Sequence, residues 1–295
     1  SGEEQLEIHK KYYDRIKRMS TAMSLAHFRH CGNVTDKFYE FEQNYYDEIS
    51  PEVDAFANDY NKELFNSQYR DYLEEKIGSV AFKDIEFSIK SFDNSLIPLM
   101  QEENSLMSQY DKLLAEFKID YKGEIVNLSL LSKYTTSKDR ITRIDAIRTR
   151  TVGLNKIKNQ FDDIFDNLVR NRTAQAKILG YKNFVELGYY RMSRTTYNID
   201  DVRNFRNQVK KYLVPLANEI HENRRKRLGL DILDSVDEGV YFSNGNPRPN
   251  GSADDIFAAG KKMYSELSPE TNEFFESMLK HELFDVLGRT NKATG

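Results

Sequence analysis

Apolar residues recur along this chain at three- and four-residue steps, the spacing that lays a stripe down one side of an α-helix. From about Glu3 to His30 the stripe is Leu6, Tyr13, Ile16, Met19, Met23 and Phe28, and Gly32-Asn33 stops it. Thr35 or Asp36 can cap the next helix, marked by Phe38, Phe41, Tyr45 and Ile49. Ser50-Pro51 predicts an end to that helix and the start of another, with Ser as N-cap and Pro in the first turn. Further helical stretches are expected over roughly 67–77, 79–92 and 95–117, the last carrying Pro98 in its first turn, where the missing N–H costs little.

The period changes at FKIDYKGEIVNLSLLSKY. Ile119-Asp120-Tyr121 and Glu124-Ile125-Val126, separated by Lys122-Gly123, predict a small β-hairpin and a domain junction. After Ser137 a long helical pattern runs to Leu179 on Ile141, Ile144, Ile147, Leu154, Ile157, Phe161, Ile164, Phe165 and Leu168, with Gly180 as its stop. Helices are expected near 182–190, 199–228, 253–266 and 269–287, with a loop over 229–252. The expected fold is therefore all-α, predominantly long helices with at most one small hairpin. Its parts are a helical lobe over 1–118, a hairpin and linker over 119–135, and a second helical region over 136–295.

Composition agrees with this picture and narrows the function classes. Charged residues make up 31%, against 14 Gly and 6 Pro, which favours long solvated helices over a turn-rich β protein. There is no Trp, but 18 Tyr and 18 Phe supply the large apolar bodies of a core. The net charge of −4 argues against a nucleic-acid partner. No apolar run reaches the roughly 20 residues of a membrane span. A single cysteine, Cys31, excludes an intrachain disulfide and fits a reducing compartment, so a cytoplasmic protein is expected. No signal peptide is visible, and Ser1-Gly2 reads as the remnant of processing and is set aside in reading the fold.

The candidate chemistry is sparse. His281, Glu282 and Asp285 spell H-E-x-x-D, one ligand short of the H-E-x-x-H signature of zinc peptidases. On a helix capped by Ser268-Pro269 and stopped by Gly288 they predict a solvated polar side, because no third donor follows. His27, His30 and Cys31 share a helical face, yet no second ligand pair stands at zinc-finger spacing. Arg29 beside Cys31 points to a thiol with a lowered pKa. Glu102-Glu103 and Asp162-Asp163 read as solvated carboxylates, and the run Arg224 to Arg227 as cations at a helix C-terminus. No phosphate loop or nucleophile elbow is present. The loop FSNGNPRPNG, Phe242 to Gly251, is longer than a helix connection needs and carries Arg248 among Asn, Gly and Pro.

Three segments carry a family resemblance. AKILGYKNFVELGYYRMSRTTYNIDDVRNFRNQV resembles oligoendopeptidase F-type enzymes through Leu179-Gly180-Tyr181, Gly188 to Met192 and Arg194. GVYFSNGNPRPNGSADDIFAAGKKMYSELSPETNEFF is similar through Asn246-Pro247, Ala258-Ala259-Gly260, Met263-Tyr264 and Leu267 to Thr271. LAHFRHCGNVTDKFYEFEQNYYDE is similar at Arg29-His30, Thr35-Asp36 and Phe38-Tyr39. The enzymes belong to the thimet oligopeptidase family of zinc metallopeptidases.

The resemblance implies the helical N-terminal lobe and first catalytic-domain helices of such an enzyme, forming one wall of a peptide channel. It also implies a zinc-dependent parent enzyme cutting internal bonds of oligopeptides. The family's H-E-x-x-H helix has no counterpart here and would lie beyond Asn291 to Gly295. No catalytic or metal-binding residue is therefore assigned, and the chain by itself is expected to bind no zinc and to be inactive, its partner being the missing C-terminal half. Tyr241, Asn244, Asn246 and Arg248 are the candidates for lining the channel. The alternative is a non-catalytic helical scaffold or peptide-binding module.

Overall fold

A computed structural model describes residues 1–293; Thr294 and Gly295, the end of the closing NKATG stretch, lie outside the described residues. The chain forms two units, each drawn from separate parts of the sequence. One comprises Ser1–Phe117, Val152–Ala217 and the segment from Asn291; the other comprises Lys118–Thr151 and Asn218–Thr290.

The first unit is built on α1 (Gly2–Gly32), α2 (Lys37–Phe65), α3 (Arg70–Ile77), α4 (Ser79–Ser91) and α5 (Ile97–Glu116). To these are added the part of α7 (Arg140–Ile178) from Val152 onward, α8 (Phe184–Arg191) and α9 (Ile199–Gln208). Helix α2 packs on α1, α4 and α5, and α4 on α8. Leu64, Leu73 and Phe82 are buried together beneath Leu6, Tyr60, Tyr69, Tyr72 and Ile85, and burying each such side chain contributes about 1.5–3 kcal/mol. Gly2 is buried where a Cβ would stand 2.7 Å from the Tyr72 ring, and Ser1 closes a capping box with Glu4. Ser1 is thus the N-cap of helix α1 and Gly2 its first residue.

Ser50-Pro51 does not end a helix, because α2 runs through it. A proline inside a helix leaves the carbonyl four residues back without its N–H, here that of Asp47. Helix α5 supplies a replacement donor, Asn104 Nδ2, which reaches the Asp47 carbonyl at 2.9 Å; Gln101 Nε2 of the same helix donates to the neighbouring Glu48 carbonyl at 2.8 Å. The same helix buries Glu103, which the sequence reading placed in solvent. Its carboxylate accepts from Arg172 Nε at 2.7 Å, Arg191 at 2.9 Å and Gln175 Nε2 at 2.8 Å. Burial would raise the Glu103 carboxyl, but the two guanidiniums and the amide outweigh it and hold it low.

The second unit opens with the expected hairpin, β1 (Ile119–Tyr121) paired antiparallel to β2 (Glu124–Val126), Ile119 opposite Val126. Lys122 and Gly123 both have positive φ, as a two-residue hairpin turn requires. Within the stretch read as hairpin and linker, Asn127 caps a further helix, α6 (Leu128–Thr135). The unit continues with the first turns of α7, the part of α10 (Val214–Leu228) from Asn218, and the pair α11 (Ala253–Leu267) and α12 (Pro269–Lys280). A π-helical turn, Val209–Leu213, joins α9 to α10 just before Pro215; such a widened turn accommodates a proline's missing donor.

Two further expectations are corrected here. The start of α7 buries Arg143 and Ala146, whereas Ile141 is 77% exposed. Helix α12 ends at Lys280 rather than at 287, through Glu282 in the left-handed region (φ 54) and the bonds Leu283 N–H to Met278 and Glu282 N–H to Leu279. The reason is packing. Phe284 turns back to lie 5.4 Å from Phe275 and 5.5 Å from Phe257, whereas a continuous helix would carry residues nine apart about 13 Å along its axis. Among the described residues no helix is long and apolar enough to cross a membrane.

Candidate functional site

The expected channel residues fall in the second unit on the segment after a 3₁₀ turn, Ser235–Asp237. Asn246 braces the loop: its Oδ1 accepts from the Tyr241 N–H at 2.8 Å, and its Nδ2 donates to the Gly239 carbonyl at 2.7 Å. Gly245, at φ 103, makes the reversal that lets one side chain bond both sides. Tyr241 is half exposed, with the Arg224 guanidinium 5.5 Å from its ring centre, and Arg227 stands 4.9 Å over Phe242. Asn244 and Arg248 are exposed. The structure therefore brings Tyr241 and Asn246 together, with Asn246 as a loop brace, and leaves Asn244 and Arg248 as exposed polar groups.

Beneath that loop lies a group that the sequence reading missed. Asp237 is fully buried and receives Arg140 Nε and Nη2 at 3.0 Å and Arg143 Nη2 at 2.6 Å. Burial alone would raise its carboxyl, but the hydrogen bonds from Arg140 and Arg143 and from the Asp234 N–H outweigh it and hold it at about 2. Arg143 also donates to the carbonyls of Val236, Ser137 and Lys138, fixing both ends of the connection. Arg224, assigned in sequence to a solvated helix end, is buried and donates to the Glu238 carbonyl at 3.0 Å. The available signal was Arg143 four residues before Ile147 in a stripe read only for its isoleucines.

The two metal-like motifs resolve differently. His281 caps the end of α12 with its Nδ1 2.8 Å from the Ser277 carbonyl, while Asp285 pairs with Arg289 at 2.5 Å and 2.8 Å. With Glu282 in a left-handed turn between them, the donors do not share a helical face, so this trio does not fit zinc. In the first unit His27, His30 and Cys31 line a cavity of about 170 Å³ with Gln43, Asp47 and Ser108. Cys31 Sγ lies 3.6 Å from His27 Nε2. Burial and the Asp111 charge push the Cys31 thiol up, the reverse of the expected lowering, since Arg29 is engaged with Glu42 at 3.1 Å. Among the described residues no three His, Cys, Asp or Glu side chains converge as a metal-binding group.

Residues 1–92 match the Peptidase M3 N-terminal domain. No curated protein sequence matches the chain. Among solved structures, a protein described as an oligoendopeptidase F from Bacillus anthracis str. Ames is 40% identical over the whole of this chain, with a TM-score of 0.97. PZ peptidase A, in a structure with an inhibitor, is 42% identical with a TM-score of 0.98, and another oligoendopeptidase F, at 3.1 Å, is 41% identical with a TM-score of 0.97. The chain belongs to the M3 peptidases of the oligoendopeptidase F type. It covers 54% of the first of those proteins and 52% of the other two, about half their length.

Proposed function

We propose that this chain is the N-terminal portion of a zinc-dependent oligoendopeptidase, a cytoplasmic enzyme that hydrolyses internal bonds of short peptides. The observation that supports this reading is the likeness of the entire chain, at 40–42% identity, to oligoendopeptidase F and PZ peptidase A structures. Zinc would polarise the scissile carbonyl and activate water. The trio His281, Glu282 and Asp285 does not supply its ligands, so the metal set is assigned to the half of the enzyme outside this chain. What these residues contribute is a wall. The Asp237–Arg140–Arg143 network and the Asn246 brace hold the 239–251 loop in one position, with Tyr241 and Arg248 facing outward for an extended peptide.

A quenched-fluorescent oligopeptide tests the proposal. The full-length protein should cleave it internally, lose that activity with a chelator and recover it with zinc. The 295-residue chain, loaded with zinc, should cleave nothing and retain no stoichiometric metal by elemental analysis. Cleavage by the isolated chain, or chelator-insensitive cleavage by the full-length protein, would overturn the reading.

A further inference from the structure

The first unit holds a second, larger cleft that the loop site does not use. It encloses about 570 Å³ between α4, α8 and the segment leading into α9, and is walled by Phe87, Tyr189, Tyr190 and Tyr197. That volume suits a small organic ligand. Phe87 and Tyr190 meet edge to face at 5.0 Å, which fixes one wall.

Two cations stand in this aromatic cleft, Arg194 and Lys182. The Arg194 guanidinium carbon lies over the Tyr189 ring, 4.3 Å from its centre, and 5.6 Å from that of Tyr197. Among the described residues neither cation has a carboxylate partner or a side-chain hydrogen bond; Arg194 bonds only through its backbone N–H, to the Tyr189 carbonyl. A guanidinium held over aromatic rings without a carboxylate partner has N–H donors available, and a guanidinium can take a carboxylate in a paired fork. The carboxylate that lines the cleft, Glu186, accepts from the Tyr190 hydroxyl at 3.3 Å.

The backbone holds Arg194 there at a cost. Ser193 has φ 48, a left-handed conformation usually left to Gly or Asn, and closes α8 through the Ser193 N–H to Tyr190 and the Arg194 N–H to Tyr189. Lys83 Nζ, donating to the Thr195 carbonyl at 3.3 Å, ties the following turn down.

We propose that this cleft binds a carboxylate attached to an apolar, preferably aromatic, body: the C-terminal residue of a peptide, its side chain among Phe87, Tyr190 and Tyr197 and its carboxylate on Arg194 and Lys182. The carboxylate chemistry stands on the cleft alone, whereas the peptide source rests on the peptidase reading. The probe is N-acetyl-L-phenylalanine, titrated into the 295-residue chain and followed by calorimetry or NMR shifts. Its carboxamide and 3-phenylpropionate serve as comparisons.

Binding of the acid at millimolar or lower concentration, with the carboxamide at least tenfold weaker, is the expected result. Arg194→Gln should abolish that discrimination while leaving the melting temperature and the far-ultraviolet spectrum unchanged, and Lys182→Gln should weaken the acid severalfold. No binding of the acid, or equal binding of acid and carboxamide, would overturn the carboxylate site. Equal affinity for 3-phenylpropionate would overturn the peptide source and leave an aromatic-acid site. None of these measurements requires peptide cleavage, so failure of the peptidase reading appears separately, in the full-length cleavage assay.

Discussion

Asn104 on α5 donates from Nδ2, at 2.9 Å, to the Asp47 carbonyl on α2, the acceptor that Pro51 leaves without a helical partner. The bond is a repair from another helix. Asn104→Ala should therefore destabilise the chain by about 1 kcal/mol, the cost of losing the bond to a part-buried carbonyl. Pro51→Ala in that background should recover much of the loss by restoring the N–H. Urea unfolding of the four-member cycle checks this, and strict additivity of the two changes would refute the coupling.

Asp237 predicts an acid-side dependence of stability. Its folded pKa of about 2 lies below the ordinary value of 3.8. The unfolded state thus takes up a proton first as pH falls, so the stabilisation is complete above about pH 4 and is lost progressively toward pH 2. Asp237→Asn should remove that part of the pH dependence. At neutral pH it should cost about 3–5 kcal/mol, because buried Arg143 then lacks its counter-charge. Unfolding curves of both proteins between pH 2 and 7 provide the measurement.

His30 predicts a second dependence at milder pH. Burial lowers its pKa, and its Nδ1 has no hydrogen-bond partner among the described residues. The folded state resists the proton that the unfolded state accepts, so stability should fall as pH drops below about 6.5. Glu40 and Asp47 oppose this shift, while His27 and Lys112 add to it. Comparing melting temperatures of the wild type and His30→Gln at pH 7.5 and 5.5 would show a smaller drop in the variant.

Glu282 occupies the left-handed position that ends α12. Glu282→Gly should relieve the Cβ clash and stabilise the chain by roughly 1 kcal/mol, whereas Glu282→Val should destabilise it. Thermal unfolding decides; equal melting temperatures for the two variants would show that the turn carries no strain.

Asn246→Ala removes both bonds that close the 239–251 loop. Protease nicking within that loop should rise severalfold in the isolated chain. On the function proposed above, KM of the full-length protein should rise more than kcat falls, because a positioned wall would be lost rather than a reacting group. Unchanged kinetics would remove the loop from the channel.

Much of this fold was legible along the chain. The Lys122-Gly123 turn and the Ser268 cap are local signals, and each sits where the sequence indicated. The misreadings share one cause. Pro51 looked like a boundary because the donor that rescues its helix comes from residue 104. Ile141 looked like core because periodicity does not say which of two stripes meets a partner. The candidate site divided in the same way: Asn246 stood out in the loop, but its role as a brace depends on where the Gly239 carbonyl lies.

By itself the sequence determined helix type, most helix starts, the hairpin and kinship, because these depend on neighbours within a few residues or on residue identities in order. Only the tertiary structure decided which charges are buried. Glu103, Arg143 and Asp237 are ordinary charged residues in a strongly charged chain until distant segments enclose them, and a buried charge persists only where another segment supplies its counter-charge and hydrogen bonds. That requirement couples α5 to α7 and the Asp237 turn to the start of α7, a relation between residues about 70 and 94 positions apart that no local pattern encodes.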